Sequence, residues 1–206
     1  VKRIIALIAV SSALLLTGCS QVGVAATVGS TKITQATVQK SVDAVLAERA
    51  KVDTTSMQLD TGATLNRNQL RFHLMSALLN DVAVDAKVTV TKAEIDSRRA
   101  TLVTQVGGQA KLPSALVSAG IASIDFDAYV QLIIASEKIA QAEVAAGVTQ
   151  ANTGVELQRR IIAKANLEKV TVNPRYGKWD SATGDVVATD AASPAATPAA
   201  SATATP

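Results

Sequence analysis

Apolar residues recur at helical spacing over most of the chain. Thr34 is a candidate helix N-cap. After it, Val38, Val42, Val45 and Leu46 fall at i, i+4, i+7 and i+8, predicting a helix that ends near Val52. Residues 53–64 read as a polar loop. From about Asn66 to Ala86, Leu70, Leu74, Leu78 and Val82 form a stripe at spacing four, and Phe72, Met75 and Leu79 widen it. A helix this apolar belongs at the centre of a core. Its polar side carries Gln69, His73, Ser76 and Asn80. Thr91-Lys92-Ala93-Glu94 is a capping box. It opens a helix with Ile95, Leu102, Val103 and Val106, which Gly107-Gly108 stops. A short helix is expected over residues 113–119, closed by Gly120. Ser123 or Asp125 then caps a long helix reaching about Ala146, with Phe126, Tyr129, Val130, Ile133, Ile134 and Val144 on one face. A last helix over residues 149–169 uses Val155, Leu157, Ile161, Ile162 and Ala165.

Short extended pieces flank these helices. Residues 25–28, the turn Gly29-Ser30-Thr31 and Lys32-Ile33 predict two strands around a tight turn. Val170-Thr171-Val172 predicts a strand stopped by Asn173-Pro174, and residues 176–187 a terminal hairpin. An isolated hairpin is unstable in water. Val170-Thr171-Val172 is therefore expected to pair with residues 25–28. The fold class is mainly α, about six helices, with a small sheet and hairpin closing the N- and C-terminal ends of the domain.

The two ends of the chain have a different composition. Val1-Lys2-Arg3 precedes the apolar run from Ile4 to Leu16, a signal-peptide pattern. Those 13 residues would span about 20 Å as a helix, short of the roughly 30 Å hydrocarbon core. Leu16-Thr17-Gly18-Cys19 resembles the bacterial lipobox. The resemblance implies cleavage before Cys19, a diacylglycerol thioether on its sulfur and an acylated new amino terminus. Two or three acyl chains exceed the single chain that gives only marginal membrane binding. Residues 1–18 are then a lipoprotein signal peptide, 19–24 a tether and 25–188 the folded domain. Residues 189–206 are Ala, Thr, Ser and Pro with one Asp, and read as a disordered tail.

Composition removes several function classes. The formal charge is +3, and without Lys2 and Arg3 it falls to +1, too little for a phosphate-binding stripe on nucleic acid. Aromatics make up 2% of the chain, too few for base-stacking platforms. One Cys permits no internal disulfide. A zinc site would have to be built almost wholly from carboxylates. Any Ser-His-Asp catalyst would depend on the single His73.

His73 lies on the polar face of its helix, without a carboxylate at i±3 or i±4, and reads as a surface or hydrogen-bonded structural residue. Arg67 and Arg71 point toward the apolar arc of the same helix, and Glu137 falls within the stripe of Phe126, Ile133 and Val144. These three serve either as partly buried ion pairs with snorkelling stems or as polar anchors for a bound polypeptide. Glu94 and Asp96, two apart, point to different faces and make no acid/base pair. Asp180 to Asp185 lacks calcium-loop spacing and fits a hairpin turn.

The order of these pieces resembles the SurA N-terminal domain family of extracytoplasmic chaperones. The matching words are the strand-turn-strand AATVGSTKIT running into a helix, VTVTKAEI at residues 88–95, Gly107-Gly108 and the helix with Glu137-Lys138. The ending NPRYGKWD at residues 173–180 resembles actinobacterial lipoprotein members. The resemblance implies a peptide-binding helical domain akin to those of SurA, PrsA and trigger factor. Many relatives also carry a parvulin prolyl-isomerase domain, for which the helical pattern between Val90 and the closing strand leaves no space. The expected function is a non-catalytic, lipid-anchored, chaperone-like protein on the extracytoplasmic face of a bacterial membrane. Its expected partners are unfolded or secreted polypeptides and the membrane, with no nucleic acid, metal or cofactor. The alternatives are a prolyl isomerase and a dedicated envelope-assembly partner.

Overall fold

The computed structural model describes residues 22–189. The expected signal peptide, Cys19 and nearly all of the expected tail lie outside the described residues.

Strands β1 (Val24–Val28) and β2 (Thr31–Thr34) form an antiparallel hairpin. Its turn needs Gly29, which has φ +55, and a Cβ there would lie 2.1 Å from Oε2 of Glu168. Helix α1 (Gln35–Arg49) follows at once, and the Thr34 hydroxyl accepts from the Thr37 N–H as its cap. α2 (Gly62–Asp85) is the central helix, with Leu70, Leu74 and Leu78 fully buried. α3 (Lys92–Gln105) starts at the Thr91/Glu94 capping box, both halves of which are formed. α4 (Leu112–Ala119) ends at left-handed Gly120. A 3-10 turn, Ser123–Asp125, leads into α5 (Phe126–Ala145), and a second one precedes α6 (Thr153–Leu167). Strands β3 (Thr171–Val172), β4 (Lys178–Asp180) and β5 (Asp185–Val187) complete the described chain.

The expected closure is present. The sheet order is β2-β1-β3, with Ala26 opposite Val172 and Thr27 opposite Thr171. Asn173 reinforces the pairing, its N–H donating to Ala25 O at 2.8 Å and its side-chain amide to Val24 O at 3.1 Å. β4 and β5 form a separate hairpin. The fold is mainly α with small antiparallel sheets.

The main core packs α2 against β1, α5, α6 and the terminal hairpin through Leu74, Leu78, Ile139, Ile161, Tyr176 and Val186. A second cluster joins Leu112, Leu116, Phe126, Val130 and Ile134, with α3 laid over it. A third places Val42 and Val45 against Leu65 and Ala122.

Several expectations need correction. α2 begins at Gly62 rather than near Asn66, shortening the polar loop, and α1 stops at Arg49. Leu46 is 49% exposed and Val155 72% exposed, because each sits at the margin of its helix stripe and nothing packs there. On α5 the inward position is Glu143, not its neighbour Val144. Gln69 on the polar side of α2 is buried, because the first half of that side faces α1 and the α4–α5 connection, while Asn80 further along stays exposed.

Candidate functional site

The turn at Gly120 brings the end of α4 and the start of α5 alongside the first half of α2. Gln69 fixes this approach by donating its side-chain amide to Gly120 O at 2.9 Å. Between these elements and the loop before α2 lies a cleft of about 460 Å³. Phe72 and Met75 from α2, Ile121 from the turn and Tyr129 from α5 give it apolar walls. All four are only partly buried. Phe72 and Met75 flank Leu74, so one side of the helix serves the core while the adjoining side serves the cleft. Two of the chain's few aromatics thus meet here across 57 residues. Asp60, Asn68, Arg71 and Asp125 supply polar lining.

Behind Asp125 the chain assembles a serine, a histidine and an aspartate. Ser41 Oγ donates to Asp125 Oδ2 at 2.6 Å and lies 2.8 Å from His73 Nε2. A hydroxyl that gives its proton to a carboxylate must accept from the imidazole, which places the neutral ring's proton on Nε2. Asp125 Oδ2 stands 3.9 Å from the same nitrogen. A hydrolytic triad needs the carboxylate on Nδ1 and the nucleophile on Nε2. Here both are on the Nε2 side, and Ser41 is 1% exposed. The three residues are a structural clasp joining α1, α2 and the 3-10 turn.

His73 is accordingly the hydrogen-bonded structural residue that one branch of the expectation gave, and not a surface residue. Its pKa is pushed down, chiefly by burial, while the Asp125 carboxylate pulls it up. As pH falls through the ordinary histidine value of 6.5, the unfolded chain takes up a proton that the native chain resists. The neutral ring's contribution to stability is full above that pH and declines below it, until the native pKa is reached. His73→Gln should flatten this slope between about pH 7 and pH 5. Thermal melts of both proteins across that range test it, and identical slopes would refute the assignment.

The other expected polar residues have separate places. Arg71 lines the cleft, and its Nε pairs with Asp185 Oδ1 of β5 at 2.8 Å. Arg67 Nε donates to Tyr176 O at 3.2 Å, tying α2 to the segment before β4. Glu137 is half-exposed and pairs with Arg98 of α3. It lies away from the cleft, on the side of α5 that meets α3. Of the three, only Arg71 is brought to the cleft.

Glu94 is held down to about 2 by its hydrogen bond from Lys138 and by the Thr91 backbone N–H, whereas Asp96 pairs with Lys92 at 2.8 Å. The two carboxylates therefore serve different partners. Asp180 accepts from Ala182 N and from the Thr183 hydroxyl, each at 2.9 Å, so its segment is a hairpin turn. Among the described residues no cluster of three or more His, Cys, Asp or Glu could hold a metal.

A second cavity lies between the end of α2 and α6, with Arg159, Arg160 and Lys164 on its wall. Its cations are matched by Glu156, Glu143 and Asp85. Compared with known proteins, the chain matches no family model and has no significant match among curated proteins or solved structures.

Proposed function

We propose that this chain binds extended or unfolded segments of exported polypeptides, as a lipid-anchored, chaperone-like protein that performs no reaction on them. The observation that carries the reading is the cleft walled by Phe72, Met75, Ile121 and Tyr129. Partly exposed thioether and aromatic groups adapt to many apolar side chains. The polar lining supplies hydrogen-bond partners for a peptide backbone. The SurA-like order of elements and the lipobox-like Leu16-Thr17-Gly18-Cys19 support the same reading and an extracytoplasmic location.

The purified chain should suppress aggregation of a non-native client at near-stoichiometric ratio. Met75→Ala with Tyr129→Ala should weaken that effect while leaving the helical circular-dichroism spectrum in place. Acceleration of X-Pro isomerisation in a short peptide, lost in His73→Ala, would move the assignment to an isomerase. Failure of both assays would favour a dedicated partner.

The anchor has its own test. Cys19→Ser should abolish acylation and leave an uncleaved precursor. Detergent-phase partitioning decides this: a wild-type chain that stays in the aqueous phase ends the lipoprotein reading.

A further inference from the structure

The charge lining the cleft is one-sided. Of its charged residues, Arg71 is already paired with Asp185. Asp125 has a side chain 15% exposed, and among the described residues no Lys or Arg reaches its carboxylate. It accepts from the Ser41 hydroxyl, and the imidazole of His73, which burial keeps neutral near pH 7, stands 3.9 Å away. Asp60 accepts from the neutral Asn68 amide at 2.6 Å. Arg49 reaches only the Asp60 main-chain oxygen, also at 2.6 Å. Two carboxylates therefore border an apolar slot without a cation bound to either.

A partly buried carboxylate has lost water and regains the most from a charged donor. Salt screens such a contact less than one in open solvent. A neutral apolar ligand would leave that demand unmet, and an acidic one would add repulsion.

We propose that the cleft selects extended peptide segments in which an apolar residue is flanked by Lys or Arg. The apolar side chain occupies the slot between Phe72, Met75 and Tyr129, and the cation meets Asp125 and Asp60. This rests on the polypeptide-binding reading and names the class of segment it prefers.

The test uses three fluorescent peptides of equal length, with the same apolar centre flanked by Lys, Gln or Glu. Anisotropy is read with the full chain at low and moderate salt. The Lys-flanked peptide should bind about tenfold more tightly than the Glu-flanked one, with Gln between them. Asp60→Asn, at an exposed position, should cut that ratio about threefold, and Asp125→Asn should cut it further. Binding of all three peptides with equal affinity, or preference for Glu, would overturn this inference and leave the polypeptide-binding reading standing. Binding of none would overturn both. A charge preference unchanged in Asp60→Asn and in a folded Asp125→Asn would also overturn it.

Discussion

Ending the chain at residue 169 should abolish its cooperative unfolding transition, whereas ending it at residue 189 should leave the thermal midpoint unchanged. The longer truncation removes β3, whose Thr171 and Val172 cover the open edge of β1. It also removes Tyr176 and Val186, both buried in the main core against α2. Losing one large buried side chain costs about 3–5 kcal/mol, and a smaller one about 1–2. Arg67 loses its acceptor at Tyr176 O, and Arg71 loses Asp185. Together these losses are comparable to the whole stability of a domain this size, about 5–15 kcal/mol. The shorter truncation removes only Ala, Thr, Ser, Pro and one Asp, which can bury little apolar area. Urea titration followed by circular dichroism separates the cases, and two truncations with the same midpoint would refute the closure.

The second large effect is expected at Glu143, with an unusual sign. Its side chain is 2% exposed. Arg160 Nε stands 3.1 Å from Oε1, yet neither carboxylate oxygen receives a hydrogen bond. Arg160 Nε also donates to Glu156 Oε1 at 3.2 Å, so two acids share one donor. Burial pushes the Glu143 carboxyl up, and the nearby Glu156 adds to this while Arg160 opposes it. The native chain therefore holds a proton that the unfolded chain releases near 4.5, and stability falls as pH rises from there to the native pKa. Glu143→Met removes the unmet carboxylate and leaves Arg160 with Glu156. It should stabilise the chain at pH 7 by roughly 1–3 kcal/mol, and by less at low pH. A loss of stability at pH 7 would mean that the Glu143–Arg160 contact is net favourable.

Local signals carried most of the fold. The Leu70/Leu74/Leu78 stripe, the Thr91/Glu94 box and the stop at Gly120 each depend on residues within a turn or two of one another. Closure followed from a general constraint, since short strands at opposite ends of the chain need partners. What local pattern could not settle is which margin of a stripe turns inward. Val144 is apolar and Glu143 is not, yet the approach of α6 buries Glu143. The candidate site was legible only in pieces. Phe72, Met75 and Tyr129 stood out as apolar positions, but as core. Ser41, His73 and Asp125 are separated by 32 and 52 residues and meet only through tertiary packing. A single polar face on α2, with Gln69 and His73 four residues apart, was the one hint that this side had partners.

The seat of β1 between β2 and β3 also sets the order in which the chain can fold. β1 and β2 are neighbours and can pair as soon as both exist, but the second edge of β1 waits for a partner about 144 residues later. The entropy of closing so long a loop grows only slowly with its length. The rate suffers more, because non-local pairing slows the search. A chain delivered amino end first therefore shows an unpaired strand edge until nearly all of it has arrived. During that interval the free edge of β1 is itself an extended segment in need of a partner.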